Sequence, residues 1–453
     1  MSRAVRCDVV VVGAGLSGLH VAQSLEASGY DVQVVEALDR VGGRIQSMRQ
    51  LGRNAEAGGT YIGARYQRLF TIIKRLGLQL IDVTPILQFF REQDLVLQGE
   101  IISSQGWHSH PRNPFLGSER ELLPWNFHRV LMSRDNPLET PADWLATKYA
   151  SLDISMHAWL SAKGYTDAQI KLIYGLNVSF GEDAHDVSVL QLLFRGAFSR
   201  SQRDVTTGDV LGYTIEGGVQ QIPDLMAEAL SRKVKLCAAV DAIESRDDEV
   251  EVHCVDGTRF ICRHVIVSLP PGPLRSIRFA PALPVAQSAA LSAVPSQPLT
   301  QVYLGIKRPF WQDDGHAASM FSDSLCGMLA AARSADAPDH VTHLTAWVQG
   351  RNALMLDRVD ARTAGQMVIA DIESLRPAAE GALEFLGMQS WSASAYAQGA
   401  WVYFKPGQVH RHGAALGLGS PRVHFCGEHL ARDARGMEGA LESAERCVSA
   451  ILR

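Results

Sequence analysis

Asp8-Val9-Val10-Val11-Val12-Gly13-Ala14-Gly15-Leu16-Ser17-Gly18 is the stretch that decides how this chain begins to fold. Its four valines are a continuous β-branched run of the kind buried on both faces of a parallel sheet. A Gly-x-Gly-x-x-Gly turn follows at once. Gly13 permits the tight turn, Gly15 lets a pyrophosphate approach the backbone, and Gly18 lets the next helix pack closely on the strand. Leu16 and Ser17 open that helix, where free N–H groups face the phosphates. The helix carries Leu19, Ala22 and Leu25 on one side and is expected to stop near Ser28-Gly29, glycine being the common residue just past a helix end. A second strand, Val32–Val35, delivers Glu36, 18 residues after Gly18. A carboxylate there accepts hydrogen bonds from ribose hydroxyls and disfavours a 2′-phosphate. Strand, turn, helix and acid in register predict a site for FAD or NAD.

Length and composition set the frame around this unit. At 453 residues the chain can build two or three domain-sized cores. With 46% hydrophobic and 20% charged residues, all of it is expected to fold. Forty-three basic against 48 acidic residues give a formal charge of −5, which excludes nucleic acid as an electrostatic partner. Seven cysteines are scattered without a Cys-x-x-Cys pair, as suits a reducing, cytoplasmic setting. No signal peptide precedes the first strand, and no run of about 18 apolar residues is found, so no membrane association is expected. The spacing of His108 and His110 is that of one strand face. Neither they nor His410, His412, His424 and His429 gain a nameable third ligand, so no metal is expected.

The continuation Glu36-Ala37-Leu38-Asp39-Arg40-Val41-Gly42-Gly43-Arg44, followed by Glu56-Ala57-Gly58-Gly59-Thr60-Tyr61-Ile62-Gly63, resembles the flavin-dependent amine oxidases, a family that includes monoamine, polyamine and L-amino-acid oxidases. The resemblance implies FAD rather than NAD. It lays Gly42-Gly43-Arg44 along the pyrophosphate, sets Gly58-Gly59-Thr60 beside the flavin, and includes Ala37 and Arg40 among the cofactor contacts. Paired glycines expose backbone N–H groups, and Arg44 adds a planar cationic fork. Glu216-Gly217-Gly218, Arg232-Lys233-Val234-Lys235-Leu236 and His264-Val265-Ile266-Val267-Ser268-Leu269-Pro270-Pro271 are similar to the middle of the same family, where Val240 would meet the adenine. Near the carboxyl end, Val423-His424-Phe425-Cys426-Gly427-Glu428-His429 reads as a strand into a loop. Gly436-Met437-Glu438-Gly439 opens a last helix whose amino terminus, led by the Met437 amide, would face the flavin pyrimidine ring.

The fold so implied is α/β: a Rossmann-like, glutathione-reductase-like FAD-binding domain assembled from 1–84, 212–290 and 394–453. A discontinuous α+β substrate domain would be made of 85–211 and 291–393. The first substrate segment is rich in helix-like periodicity, and Val302-Tyr303-Leu304-Gly305-Ile306 in the second reads as a strand.

Departures from the family pattern bear on the chemistry. Gln301 stands where most members carry a lysine that holds a water against flavin N5. Ala400 stands where some attach flavin through cysteine, which implies non-covalent FAD. Trp401 supplies one wall of the aromatic cage, and Gly436 leaves the other open. Tyr61 falls in the pocket lining. Arg65 lies one residue out of register with an arginine that grips substrate carboxylates in amino-acid-oxidising members. The expected activity is oxidation of a carbon–nitrogen bond in an amine or amino-acid-derived substrate. Hydride passes to flavin N5, an imine forms, and oxygen reoxidises the flavin with release of hydrogen peroxide. A desaturase or dehydrogenase using another acceptor, and a decayed flavin-binding scaffold, are the alternatives. A homodimer is left open.

Overall fold

The computed structural model describes residues 4–51, 55–86, 92–176, 179–202, 210–334 and 337–453. Val9–Val12 is wholly buried because it lies inside a four-stranded parallel sheet, in the spatial order Val423–Phe425, His264–Val267, Val9–Val12, Val32–Val35. Valine at both faces follows directly, since helices and a second sheet cover an all-parallel sheet on each side. All four strands run the same way, so the segments following Val12, Val35, Val267 and Phe425 gather at one edge. In such sheets the ligand sits beyond the carboxyl ends of the strands. Gly13 N–H donates to Val35 O at 2.8 Å and Ser268 N–H to Val12 O at 2.8 Å, tying that edge together.

The helix Leu16–Ala27 buries Leu19, Ala22 and Leu25 and ends at Ser28; Gly29 takes the left-handed conformation at φ +89°, as the sequence predicts. Gly18 is required by contact and not by dihedral angle. A Cβ there would lie 2.1 Å from Gly13 O.

A five-stranded sheet contains the hairpin Val250–Cys254 and Arg259–Cys262, turning at Gly257 (φ +82°), with Val240–Ser245 beside it. The third large sheet has seven strands, in the order Leu383–Ser390, Leu299–Ile306, Ala337–Gln349, Met328–Ser334, Ser319–Ser322, Gln93–Leu97, Glu100–Ile102. Leu299–Ile306 confirms the strand expected around Val302. Gln93–Leu97 is a wholly buried strand that periodicity does not mark, because its sequence opens with two polar residues. Asp94 is satisfied in place by Ala317 N–H at 3.0 Å and His316 Nδ1 at 3.1 Å. The helix-like stretch before residue 202 holds Pro124–Arg134, Met156–Ser161, Asp167–Ile173 and Val189–Ser201. His108 departs from expectation: Trp107–Ser109 is a 3₁₀ turn, so His108 and His110 do not share a strand face. Among the described residues no helix is long and apolar enough to cross a membrane.

Because the Gly18 contact is backbone on backbone, Gly18→Ala is expected to lower unfolding stability by roughly 1–3 kcal/mol, the usual cost of overpacking. Denaturant unfolding of the purified protein measures this, and an unchanged midpoint would show that the helix shifts without cost.

Candidate active site

One cavity of about 780 Å³ runs from the edge of the four-stranded sheet to the helices before residue 202. At its first end the glycine loops form a bare backbone cradle. Gly15 pairs with Gly42 as a parallel bridge, and Gly42 N–H donates to Ala14 O at 2.8 Å. A Cβ on Gly15 would meet nothing within 4 Å, and one on Gly43 would meet only Gly15 Cα at 3.5 Å, which leaves a ligand-sized approach over both. The helix behind the loop has no side-chain cap and no acid in its first turn among the described residues. Its leading N–H groups, at Leu16 and Ser17, are therefore available to an anion.

Arg40 fastens the loop: Nη2 donates to Gly43 O at 2.8 Å and Gln46 Oε1 at 2.9 Å, and Nη1 to Val41 O at 3.1 Å and Ile45 O at 3.2 Å. Its donors are turned toward its own loop, a positioning task that the sequence reading did not assign. Arg44 reaches across the cavity to Ala400 O at 2.9 Å and Glu428 Oε2 at 3.5 Å, joining the amino- and carboxyl-terminal segments.

Glu36 is buried at the mouth of the cradle, where Oε2 accepts from Ala14 N–H at 2.7 Å and Oε1 from Leu38 N–H at 2.9 Å. Burial pushes its carboxyl above the usual range, and the two backbone donors oppose that rise. Each oxygen retains acceptor capacity for a ribose hydroxyl. Glu36 N–H donates to Lys235 O at 2.9 Å, and Ala238 N–H to Glu36 O at 2.8 Å. Those bonds bring Val240, together with Ala37, to the same wall.

Farther in, Gly58, Gly59, Thr60, Gln301, Trp401, Gly427, Glu428, Gly436 and Met437 line one chamber. Gly58 presses on the backbone: a Cβ would lie 2.1 Å from Arg44 O. A Cβ on Gly59 would lie 3.5 Å from Met437 Sδ, so the second glycine pair and the last helix converge. That helix, Gly436–Ile451, has no side-chain cap among the described residues, and its first-turn acid Glu438 accepts from Arg68 and Leu69 N–H groups, leaving the helix amino terminus open to the chamber.

Gln301 is 1% exposed; its Nε2 donates to Glu56 O at 3.3 Å, while its Oε1 has no partner among the described residues. A buried orphan acceptor facing a cavity is the mark of a group awaiting a ligand or water. Trp401 is held by its Nε1–H donating to Ser179 O at 2.7 Å, and Ala400 N–H donates to Gln297 O at 2.9 Å. A Cβ on Gly436 would meet Tyr66 Oη at 3.7 Å, so the side left open by glycine is bounded by a phenol. Tyr61 opens on the cavity and is 41% exposed. His343 is pushed down to about 4 by burial and is neutral.

Two expected residues do not join the chamber. Gly18 lies beneath the cradle as packing. Arg65 is exposed, its Nη1 donating to Ser201 O at 3.3 Å, and does not line the cavity; its one-residue offset turns it outward, whereas Tyr66 faces in. Sequence reasoning missed Tyr66, Arg195, Arg435 and the trio Trp125, His128 and Arg129. The trio has a legible signal, because positions i, i+3 and i+4 of Pro124–Arg134 share one helix face. Among the described residues the one cluster of three or more His, Cys, Asp or Glu side chains close enough to share a metal ion is Glu244, Glu251 and His253, where Glu251 already receives Arg259 at 3.0 Å.

Glu36→Ala removes both the ribose acceptor and a clamp on the Ala14 amide. It is expected to weaken FAD binding by about 1.5–3 kcal/mol, the range for hydrogen bonds to a charged group. Equilibrium release of FAD, followed by flavin fluorescence, reads the change; unaltered affinity would take Glu36 out of the site.

The residues therefore suit FAD along the whole cavity, and comparison with known proteins agrees. A family model described as flavin containing amine oxidoreductase matches residues 16–452. Flavin-containing amine oxidase B of Homo sapiens is 27% identical over 465 residues, covering 99% of this chain and 86% of the relative. A flavin-containing amine oxidase of Danio rerio is 28% identical over 457 residues, covering 98% and 85%. A putrescine oxidase triple mutant with redesigned cofactor binding matches at TM-score 0.79 and 25% identity over 99% of both chains. Cyclohexylamine oxidase from Brevibacterium oxydans shares the fold at TM-score 0.77 and 23% identity over 98% of both. With cradle, chamber and full-length similarity in agreement, the chain belongs to the flavin-containing amine oxidoreductase family and is an FAD-dependent oxidoreductase acting on amines.

Proposed function

We propose that this enzyme oxidises the carbon–nitrogen bond of a neutral amine to an imine, with non-covalent FAD as acceptor and oxygen as the reoxidant, releasing hydrogen peroxide. One observation carries the reading: the backbone cradle and the chamber walled by Gln301, Tyr61 and Trp401 are parts of a single cavity. When bound, FAD supplies a two-electron acceptor for hydride from the carbon beside nitrogen. The chain's own residues do the rest. Trp401, fixed by Ser179, gives the amine a rigid wall. The aromatic surroundings and the cavity's arginines penalise an ammonium and favour the free base. Gln301 offers an acceptor to a water or donor, without the positive charge of a lysine. The amino terminus of the last helix stabilises negative charge that collects nearby on reduction. Ala400 has no thiol for attachment. A cytoplasmic setting belongs to the same reading and rests on the scattered cysteines.

A second reading, a dehydrogenase passing electrons to an acceptor other than oxygen, is favoured by the uncharged Gln301. Anaerobic mixing with an amine panel tests the chemistry: an amine that is turned over bleaches the flavin absorbance, and admission of air restores it quickly if oxygen is the acceptor. A panel that leaves the flavin oxidised throughout would sink the amine reading. Denaturation by acid is expected to release all the flavin, and colour retained by the polypeptide would refute non-covalent binding. Gln301→Lys is expected to speed stopped-flow reoxidation of photoreduced enzyme about tenfold, equivalent to about 1.4 kcal/mol of transition-state stabilisation by the added charge. A folded, FAD-bound variant with an unchanged rate would favour the dehydrogenase.

A further inference from the structure

Beyond Trp401 the cavity wall turns cationic. Arg195 in the helix Val189–Ser201, Arg435 just before the last helix, and Arg129 in Pro124–Arg134 all line it. The guanidinium carbons of Arg195 and Arg435 lie 5.8 and 5.9 Å from the centre of the Phe180 ring. Phe180 in turn meets Trp401 edge-on, with ring centres 6.4 Å apart. A single ring thus separates the amine wall from a pair of arginines.

Arg195 Nη1 is buried without a hydrogen-bond partner among the described residues. Burial, then the charges of Arg435 and Arg129, push the Arg195 guanidinium well below its usual range; the Tyr174 phenol is the one neighbour acting the other way. That phenol is already donating to Phe180 O at 2.9 Å. The acidic side chains lining the cavity, among the described residues, are Glu36, Glu56 and Glu428. They are engaged elsewhere: Glu36 by Ala14 and Leu38, Glu56 by Ser47 and Val219, Glu428 by Arg44. His128, beside the arginines, is held neutral by burial and by Arg129 and Arg195, and its Nε2 also lacks a partner among the described residues. Arg195 and Arg435 are half-buried and Arg129 is exposed, but the Arg195 Nη1 donor itself is shielded from solvent, and a shielded donor among like charges favours an anion. The face of Phe180 near the limit of cation–π contact is a weak substitute.

We propose that Arg195 and Arg435 form a carboxylate-binding subsite, so that the amine oxidised here carries a carboxylate on an arm that reaches from the Trp401 wall to these arginines. The proposal rests on the amine-oxidation reading above and names its substrate class. A guanidinium fork matches a carboxylate by two parallel hydrogen bonds, and Arg195 holds an unused donor for it. The same wall selects against diamines, because a second ammonium would be driven against two fixed cations.

Chain-matched probes test this in the FAD-bound enzyme: ω-amino carboxylates of four, six and eight carbons, the corresponding alkylamines, and the corresponding terminal diamines. Kd values come from the concentration dependence of anaerobic flavin bleaching. The expected order is carboxylate tightest and diamine weakest. At the best chain length the carboxylate should bind at least about tenfold more tightly than the alkylamine, a ratio within reach of one charge-assisted pair. Arg195→Met should bring that ratio to within about twofold of one, while Arg195→Lys should keep part of it; retained FAD absorbance certifies the fold of each. If Arg195→Met loses FAD, Arg435→Gln is read in its place, with the same expected collapse. A carboxylate that binds no better than its alkylamine at every length overturns the proposal, as does a ratio unaffected by the arginine variants. If no amine bleaches the flavin, the amine reading fails separately. The subsite is then read by calorimetric titration of hexanoate and benzoate into the oxidised enzyme: binding lost in Arg195→Met sustains it, and absence of binding overturns it.

Discussion

Close approach of backbone to backbone at one edge of a parallel sheet is the constraint on which the rest of this structure depends. Gly18 lies so near the Gly13 carbonyl that no side chain fits, which seats the first helix with its uncapped amino terminus over the strand end. Gly15 and Gly42 then bridge, and Gly43 lies over Gly15. A pyrophosphate needs such a surface because its oxygens must reach N–H groups that side chains would cover. The loops stay in place because Arg40 spends its donors on their carbonyls and Glu36 accepts from Ala14.

From that edge the cavity is assembled by cross-links between distant segments. Arg44 ties the glycine loop to Ala400 and Glu428, Gln301 ties the seven-stranded sheet to Glu56, and Trp391 Nε1–H donates to Ala57 O at 2.9 Å. Each bond joins a side chain of one segment to a group of another across hundreds of residues. The walls of the chamber are thereby held to one another by side chains from separate segments rather than by one continuous stretch of chain.

Charge in the cavity is uneven. The cradle offers partial positive charge from N–H groups, Arg44 is paired with Glu428, Gln301 and the uncharged His343 add none, and Arg195 and Arg435 flank Phe180. Low dielectric inside the cavity makes each of these differences count for more than at the surface. Gln301 brings no charge to its part of the cavity, whereas Arg129, Arg195 and Arg435 line it elsewhere.

The sequence by itself determined the cofactor end. Valine runs, glycine spacing and the position of Glu36 report local geometry, because a buried parallel strand, a tight turn and a helix start each impose their residue types over a few positions. Resemblance in Gly42-Gly43-Arg44, Gly58-Gly59 and Gly436-Met437 extended that reading to the flavin, and the structure brings those segments to one cavity. Only the tertiary structure decided the substrate end. Trp125, His128 and Arg129 share a helix face that the sequence shows without saying what it meets, and Arg195 and Arg435, from another helix and a loop far along the chain, carry no local mark at all. Arg65, read from its place beside a motif, turns outward, whereas Arg195, unmarked by any motif, turns in. The direction of a long side chain is set by the packing of whole helices and sheets, and no local pattern records it.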